Sequence, residues 1–402
     1  MDAALSKAPR ATPAGDNADA PLVSIVVPCL NEELTIGEFV DWCKQGLADA
    51  GVTGEILIVD SSTDRSPEIA EQHGAIALRV PKRGLGRAYI DALPHIRGRY
   101  VIMGDCDLTY DFREIGPFVE KLEGGAEFVM GSRFAGSIED GAMPKLHQYF
   151  GTPATTWILN RIYGTRYTDI HCGMRAITRD ALERIGLQSQ GWEYASEMVI
   201  KAATLKLPTE EVPIRFYRDR DGRQSQHLRA GWMSPWLAGW DNVKAMMMYA
   251  PHAFITIPGM ILFGFGLILC TVLIPGDIRI GTTGLELHWM LLGMTIATAG
   301  YAVVQLGVIA EVRHHVERPL ARRVERFLTW NRGTLTAFLL ILGGIACNIP
   351  LVVDWVSHDF HLKTFSHLSA YGLLLLVLGF QTFCFTLLIQ ILPPGDRTDS
   401  EA

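Results

Sequence analysis

Over residues 22–214 the apolar positions fall in short runs that end in polar residues, and these runs alternate with stretches of helical spacing. Leu22–Val27 stops at Pro28-Cys29-Leu30-Asn31-Glu32-Glu33, and a helical pattern then reaches Ala48. Glu55–Val59 ends at Asp60-Ser61-Ser62-Thr63-Asp64, and Ala75–Val80 runs into Lys82-Arg83-Gly84-Leu85-Gly86-Arg87. Tyr100–Met103 ends at Gly104-Asp105-Cys106-Asp107. Glu127–Met130 leads into Gly131-Ser132-Arg133-Phe134, and Glu211–Ile214 reads as an edge-type strand. Strands alternating with helices predict a mostly parallel, Rossmann-like α/β sheet covered on both faces. In a right-handed β-α-β series the strand ends line up along one edge. Polar residues at four such ends predict a ligand cleft there.

The pattern changes near residue 229. Ser234-Pro235 reads as a cap and first-turn proline, and Trp236, Trp240, Val243 and Met247 follow on one helical face. This favours an amphipathic helix over 229–251 lying in a membrane interface, against the alternative of a helix packed on the α/β domain. Four runs then lack any Asp, Glu, Lys or Arg: 253–274, 289–310, 334–353 and 369–392. Each is long enough to cross a hydrocarbon layer of ~30 Å as a helix. The chain therefore divides into a disordered tail (1–20), an α/β domain (21–228), the interfacial helix (229–251), an all-α four-helix transmembrane domain (252–393) and a short tail (394–402).

Charge orients these spans. The connection between the second and third carries Arg313, Arg318, Arg322, Arg323, Arg326 and Arg332, whereas the other two carry only Arg279 and Lys363. The positive-inside rule makes the Arg-rich loop cytoplasmic. Four crossings put the α/β domain and the final tail on the same side of a plasma or inner membrane. The first 20 residues have no apolar core, so they give no secretory signal. The seven scattered cysteines form no C-x-x-C pair and fit a reducing compartment. A net charge of −7 gives no sign of nucleic acid as a partner.

Within the α/β domain, Asp105 and Asp107 offer two hard oxygen ligands suited to Mg²⁺ or Mn²⁺, which would hold nucleotide phosphates. Gly84-Leu85-Gly86 lacks the remaining residues of either common phosphate loop and reads as a helix-start turn. Lys82, Arg83 and Arg87 either face a diphosphate or are solvated. Arg218, Arg220, Arg223, Ser225, His227 and Arg229 contact anionic lipid or bind the phosphate of a lipid acceptor, and both readings stay open. Arg175 either takes part in the site or pairs with Asp169. His147 and His171 read as structural rather than catalytic, and Glu193 and Glu197 as solvated helix charge.

In order, Ile25–Glu32, Ile58–Ser66, Gly84–Ala88, Tyr100–Asp107, Gly131-Ser132-Arg133, Asp169–Ala176 and Glu211–Ile214 resemble the family 2 glycosyltransferases of GT-A fold. The resemblance is nearest to the polyprenyl-phosphate sugar synthases. It implies that Asp105 and Asp107 contact the metal and the sugar-nucleotide diphosphate. It puts Pro28, Asn31, Glu32 and Asp60 around the nucleotide. Arg133, with Lys145, His147, Arg175, Ser225 and His227, would face the acceptor phosphate. The chain departs from the family at Asp60-Ser61, Thr109, His171-Cys172-Gly173-Met174-Arg175 and Ser225-Gln226-His227-Leu228.

The expected reaction is metal-dependent, inverting transfer of a sugar from a nucleoside diphosphate to an undecaprenyl or dolichyl phosphate at the cytoplasmic face. Two alternatives stand beside it. One is a glycosyltransferase acting on another membrane or polysaccharide acceptor. The other is a lipid transporter with a regulatory nucleotide-sugar-binding domain. Association of the spans into a homo-oligomer stays open.

Overall fold

The computed structural model describes residues 20–220, 250–280, 283–313, 326–361 and 366–391, with isolated positions at 240, 244, 247, 248, 323 and 324. The chain separates into two compact units, Met1–Asp241 and Asn242–Ala402.

The first unit is built on a seven-stranded sheet of order β3-β2-β1-β4-β6-β5-β7. Its strands are β1 Val23–Cys29, β2 Gly54–Asp60, β3 Ile76–Arg79, β4 Tyr100–Met103, β5 Phe128–Ile138, β6 Arg175–Thr178 and β7 Thr209–Phe216. The central strands are near-continuous apolar runs because both faces are covered, as parallel sheets require. Val23, Ile25, Val26, Val27, Val101 and Ile102 have no solvent exposure. The covering helices are α1 Ile36–Asp49, α2 Ser66–Gln72, α3 Leu85–Ala92, α4 Gly116–Glu123, α5 Thr152–Tyr163, α6 Arg179–Ile185 and α7 Tyr194–Thr204. On one face, Phe39 of α1 meets Phe112 edge to face at 4.8 Å.

Register positions the cleft. β1 pairs in parallel with β2 on one side and β4 on the other, Cys29 standing beside Asp60 and Val26 beside Met103. The strand order thus reverses direction at β1, and the loops after β1 and β4 diverge there, leaving the crevice in which open α/β sheets take ligands. β6 alone runs antiparallel, between β4 and β5. Its first residue, Arg175, therefore reaches the same edge beside Met103 and Met130.

The second unit holds four helices: α8 Ile257–Val272, entered through a π-turn over His252–Thr256, then α9 Leu287–Arg313, α10 Trp330–Ser357 and α11 His367–Ile391. All four are long and apolar enough to cross a membrane. A short hairpin, β8 Ile278–Ile280 with β9 Thr283–Leu285, joins the first two. Phe265, Ile268, Phe338, Val353 and Phe380 are each more than half exposed, as side chains facing lipid are. Between α8 and α9 the backbones touch through glycines: a Cβ on Gly266 would lie 2.4 Å from Ala297 N, and one on Gly300 2.3 Å from Phe263 N. Close approach through small residues is how helices associate where water supplies no hydrophobic drive.

Gly266→Leu should therefore cost at least about 1–3 kcal/mol through overpacking. Gly264→Leu, on the same helix where a Cβ meets nothing within 4 Å, should leave stability level or raise it. Thermal unfolding of the two variants in detergent checks this, and equal midpoints would show that the contact is not close.

Candidate active site

The loop after β1 is fastened to the loop after β2 before either meets a ligand. Asn31 adopts a left-handed conformation (φ +57°), which asparagine tolerates. Its Oδ1 accepts from Thr63 N–H at 2.8 Å, and its own N–H donates to Ser62 Oγ at 2.7 Å. Glu32 is buried, and its N–H donates to Ser66 Oγ at 2.8 Å. Asn31 and Glu32 thus shape the wall of the cleft, and Asn31 Oδ1 is occupied in doing so.

The Asp105–Asp107 turn is tied to β1 by the residue between the aspartates. Contact with the Cys29 sulfur, together with burial, pushes the Cys106 thiol well up, so it stays protonated. It donates to the Pro28 carbonyl at 3.4 Å. Cys106 therefore fastens the turn. Thr109 donates to Asp107 Oδ1 from both N–H (3.0 Å) and Oγ1 (2.5 Å), while Leu108 turns the chain at φ +64°. On the other side Asp105 lies over Gly173, where a Cβ would come within 2.8 Å of Asp105 Oδ2. Gly173 N–H also donates to the Tyr110 hydroxyl at 2.9 Å. Thr109 and Gly173 are site-building residues that sequence reasoning did not single out; Thr109 was visible there only as a departure from the family.

Asp60 closes the edge. It is 1% exposed, and neither carboxylate oxygen has a hydrogen-bond partner among the described residues. Arg79 in the adjacent strand approaches Oδ2 only to 3.5 Å. A buried carboxylate left in this state is costly unless something donates to it.

The cationic side is arranged differently from expectation. Arg133 and Asp169 form a buried bidentate pair, Nε–Oδ2 2.6 Å and Nη2–Oδ1 2.9 Å. Burial opposes the charge on Arg133, but Tyr110 and Asp169 outweigh it and hold the guanidinium firmly protonated. Burial likewise opposes ionisation of Asp169, and Arg133 outweighs it, so that carboxyl stays below the usual carboxylate range. Asp169 thus takes Arg133 rather than Arg175. Arg175 has no solvent exposure. It donates to the carbonyls of Cys172 and Ala195, and its Nε has no partner among the described residues. No carboxylate among the described residues pairs with it, so a positive charge is held at the sheet edge, in register with Met103. Lys145 is exposed and His147 half-buried at the start of a π-turn over His147–Gly151. Arg83 is held by Asp91 at 2.7 Å. Ser225, His227 and most of the segment 229–251 lie outside the described residues.

One reading of the sequence changes here, and another gains its reason: Gly84 opens α3, as read. Glu197 is fully buried rather than solvated: it accepts from Gln188 and Ser189 N–H at 2.9 and 2.8 Å and pairs with Lys201. The loop it holds then explains the Gly84-Leu85-Gly86 turn. Gly86 N–H and Arg87 N–H donate to the Gly191 and Gln190 carbonyls, and a Cβ on Gly84 would lie 2.2 Å from Gln190 O. These glycines admit a neighbouring loop.

His171 carries a pH signature. Burial drives its pKa down to about 4, and its Nε2 lies 2.9 Å from Thr155 Oγ1. The unfolded chain, with a histidine pKa near 6.5, binds the extra proton first, so stability is full above pH ~6.5 and is lost as pH falls toward about 4. His171→Gln should flatten this dependence in unfolding measured across that window, and an unchanged slope would assign it elsewhere.

Comparison with known proteins agrees with this architecture. Residues 24–186 match the family described as glycosyl transferase family 2, and residues 307–393 match the glycosyltransferase family 2 C-terminal transmembrane region. The low-salt glycan biosynthesis hexosyltransferase Agl6 of Haloferax volcanii is 34% identical, over 91% of this chain and 88% of its own length. A dolichyl-phosphate hexose transferase of the same organism is 30% identical over 52% of this chain and 88% of its own. Among solved structures, glucosyl-3-phosphoglycerate synthase from Mycobacterium tuberculosis, in complex with phosphoglyceric acid, superposes with a TM-score of 0.45 at 22% identity. That match covers 58% of this chain and 80% of the synthase. With its mostly parallel sheet, its aspartates at the carboxyl edge and its four apolar helices, the chain belongs to glycosyltransferase family 2, as a membrane glycosyltransferase of GT-A fold.

Proposed function

We propose that the protein transfers a hexosyl group, with inversion, from a nucleoside diphosphate sugar to a polyprenyl phosphate at the cytoplasmic face of the cell membrane. The observation that carries the donor half is Asp60, whose two buried oxygens lack hydrogen-bond donors among the described residues. N–H and O–H groups of a nucleotide's base or ribose would supply them. The acceptor half is supported by the dolichyl-phosphate hexose transferase relative and by the four apolar helices.

The residues at the cleft fit a divalent metal. Asp105 and Asp107 are hard oxygen donors, and no cluster of three or more metal-ligating side chains occurs among the described residues. That is the donor set expected for Mg²⁺ or Mn²⁺, which take one or two carboxylates and fill the remaining positions with water and substrate phosphate. When bound, the metal neutralises charge on the departing diphosphate. Asp105 and Asp107 would hold that charge-neutralising group, and the Cys106 and Thr109 bonds fix the turn that carries them. Pro28, Asn31 and Glu32 form the opposite wall.

The acceptor needs positioning more than deprotonation. A phosphate monoester has a second pKa of about 6, so its attacking oxygen is already largely anionic at neutral pH. The burden is then to bring two anions together in line. Lys145 and His147 receive the acceptor phosphate. Arg175 and the Arg133–Asp169 pair act from the sheet edge, Arg175 by an uncompensated positive potential and Arg133 by fixing the loop around His171.

The test is transfer of labelled sugar from UDP- and GDP-sugars to undecaprenyl or dolichyl phosphate in membranes carrying the full chain. An acid-labile lipid-linked sugar should form, and its absence with every common donor would overturn the reading. Asp107→Asn should lower the rate by about 10²–10³-fold, the equivalent of several kcal/mol of lost metal stabilisation. Asp60→Asn should act on donor KM instead, raising it by about 10-fold or more for loss of a charged hydrogen bond, with a smaller change in kcat. Equal effects on kcat and KM at Asp60 would contradict its placement at the base or ribose.

A further inference from the structure

The turn that carries the two aspartates is also held from the chain that leaves the sheet. β7 ends at Phe216, and the next residue, Tyr217, makes two bonds to the segment that follows Asp107. Its N–H donates to the Thr109 carbonyl at 2.9 Å, and its hydroxyl donates to Asp111 Oδ2 at 3.0 Å. Between these anchor points Tyr110 forms an isolated antiparallel bridge with Phe216, their ring centroids 5.1 Å apart. One residue thus grips both ends of Thr109-Tyr110-Asp111, and its neighbour holds the middle. Tyr217 is itself fixed on either side: Arg215 Nε donates to Glu114 at 2.9 Å and Arg218 N–H to Glu139 at 2.8 Å.

Each gripped residue bears on the site. Thr109 N–H and Oγ1 donate to Asp107 Oδ1, so the position of Thr109 sets where that carboxylate stands. Tyr110 accepts from Gly173 N–H, and Gly173 lies against Asp105. Asp111 is buried and holds Arg113 in a bidentate pair, both bonds 2.7 Å. That guanidinium lies 4.2 Å from the centre of the Trp42 ring on α1, and the Trp42 ring meets the Tyr217 ring edge to face at 6.3 Å. The hydroxyl of Tyr217 therefore closes a cluster that locks Asp111 to α1.

The turn needs such a grip. Leu108, between Asp107 and Thr109, is left-handed at φ +64°, an unfavourable conformation for leucine. Strained backbone of this kind persists only where its surroundings over-determine it. The Tyr217 bonds begin at the very next residue.

We infer that Tyr217 is a positioning residue for the metal-holding turn: it fixes Thr109 and Asp111, and through them the place of the Asp107 carboxylate. The inference rests on the reading that Asp105 and Asp107 take a divalent ion, and it adds the residue that sets how tightly they do so. Tyr217 acts through Thr109 and Asp111 and is assigned no contact with the ion or the substrates.

The test is the Mn²⁺ concentration that half-saturates tight donor binding, read by calorimetric titration of the full chain in detergent at fixed concentrations of UDP- and GDP-sugars. Tyr217→Phe keeps the ring and the N–H and removes the bond to Asp111. It should raise that concentration by about 3–10-fold, short of the roughly 10–100-fold typical of residues bonded directly to a metal ligand, because Tyr217 acts one residue further out. At saturating Mn²⁺ donor affinity should return to that of the unaltered chain. Thr109→Val removes the Oγ1 bond to Asp107, and the two changes combined should give less than the product of their separate effects, because both act on one carboxylate. An unchanged Mn²⁺ requirement in Tyr217→Phe would overturn the inference. So would a loss of donor affinity that saturating Mn²⁺ does not restore, which marks a general loss of structure. Effects that multiply in full would overturn it too, because Tyr217 then acts elsewhere. If the unaltered chain binds neither donor, or binds them equally with and without Mn²⁺, the metal reading itself fails and this inference with it. That result is distinct from a metal response that is present and indifferent to Tyr217.

Discussion

Parallel pairing on both flanks of β1 is the constraint on which the cleft depends. With Cys29 beside Asp60 and Val26 beside Met103, the chain after β1 and the chain after β4 must leave the sheet at the same edge and in opposite directions. One side-chain bond bridges the gap that this opens, Cys106 to the Pro28 carbonyl, and a second, Asn31 to Thr63, ties the loop after β1 to the loop after β2. A one-residue slip of β4 would turn its side chains to the opposite face and break the first of these. The aspartates are thus placed by strand register first and by their own loop second.

Charge at this edge is deliberately unbalanced. Asp169 and Arg133 neutralise one another, as buried ions usually must. Arg175 is buried with no carboxylate paired to it among the described residues, and Asp60 is buried with neither oxygen in a hydrogen bond and only the half-exposed Arg79 guanidinium, 3.5 Å away, to offset its charge. Local uncompensated charges of this kind cost stability and persist where a ligand compensates them. In the proposed function, a nucleotide diphosphate with a divalent ion would bring donors to Asp60 and negative charge toward Arg175, joining the two anomalies in one explanation.

Much of this was legible in the sequence because it depends on local pattern. The apolar runs and the polar residues that stop them announced the strands, the common edge and the aspartate pair, and the charge-free runs announced the helices of the second unit. What was hidden depends on partners distant in the chain. Asp169 lies six residues from Arg175, yet its carboxylate is taken by Arg133, 36 residues away. Glu197 has the spacing of a solvated helix residue, but two N–H groups of the loop at Gln188 and Ser189 capture it. Gly84 and Gly86 read as a helix-start turn and α3 begins there, but nothing local announces the Gln190–Gly191 carbonyls that pack against them. The antiparallel entry of β6, which carries Arg175 to the cleft, gives no periodic signal in four residues.

The central claim is that Asp105 and Asp107 hold a divalent ion that binds the donor's diphosphate. Calorimetric titration of the full chain with UDP- and GDP-sugars, with and without Mn²⁺, tests it most directly when repeated on Asp107→Asn. The account predicts that Mn²⁺ tightens donor binding in the unaltered chain and has no such effect in the variant. Equal affinities with and without the metal in the unaltered chain would contradict it.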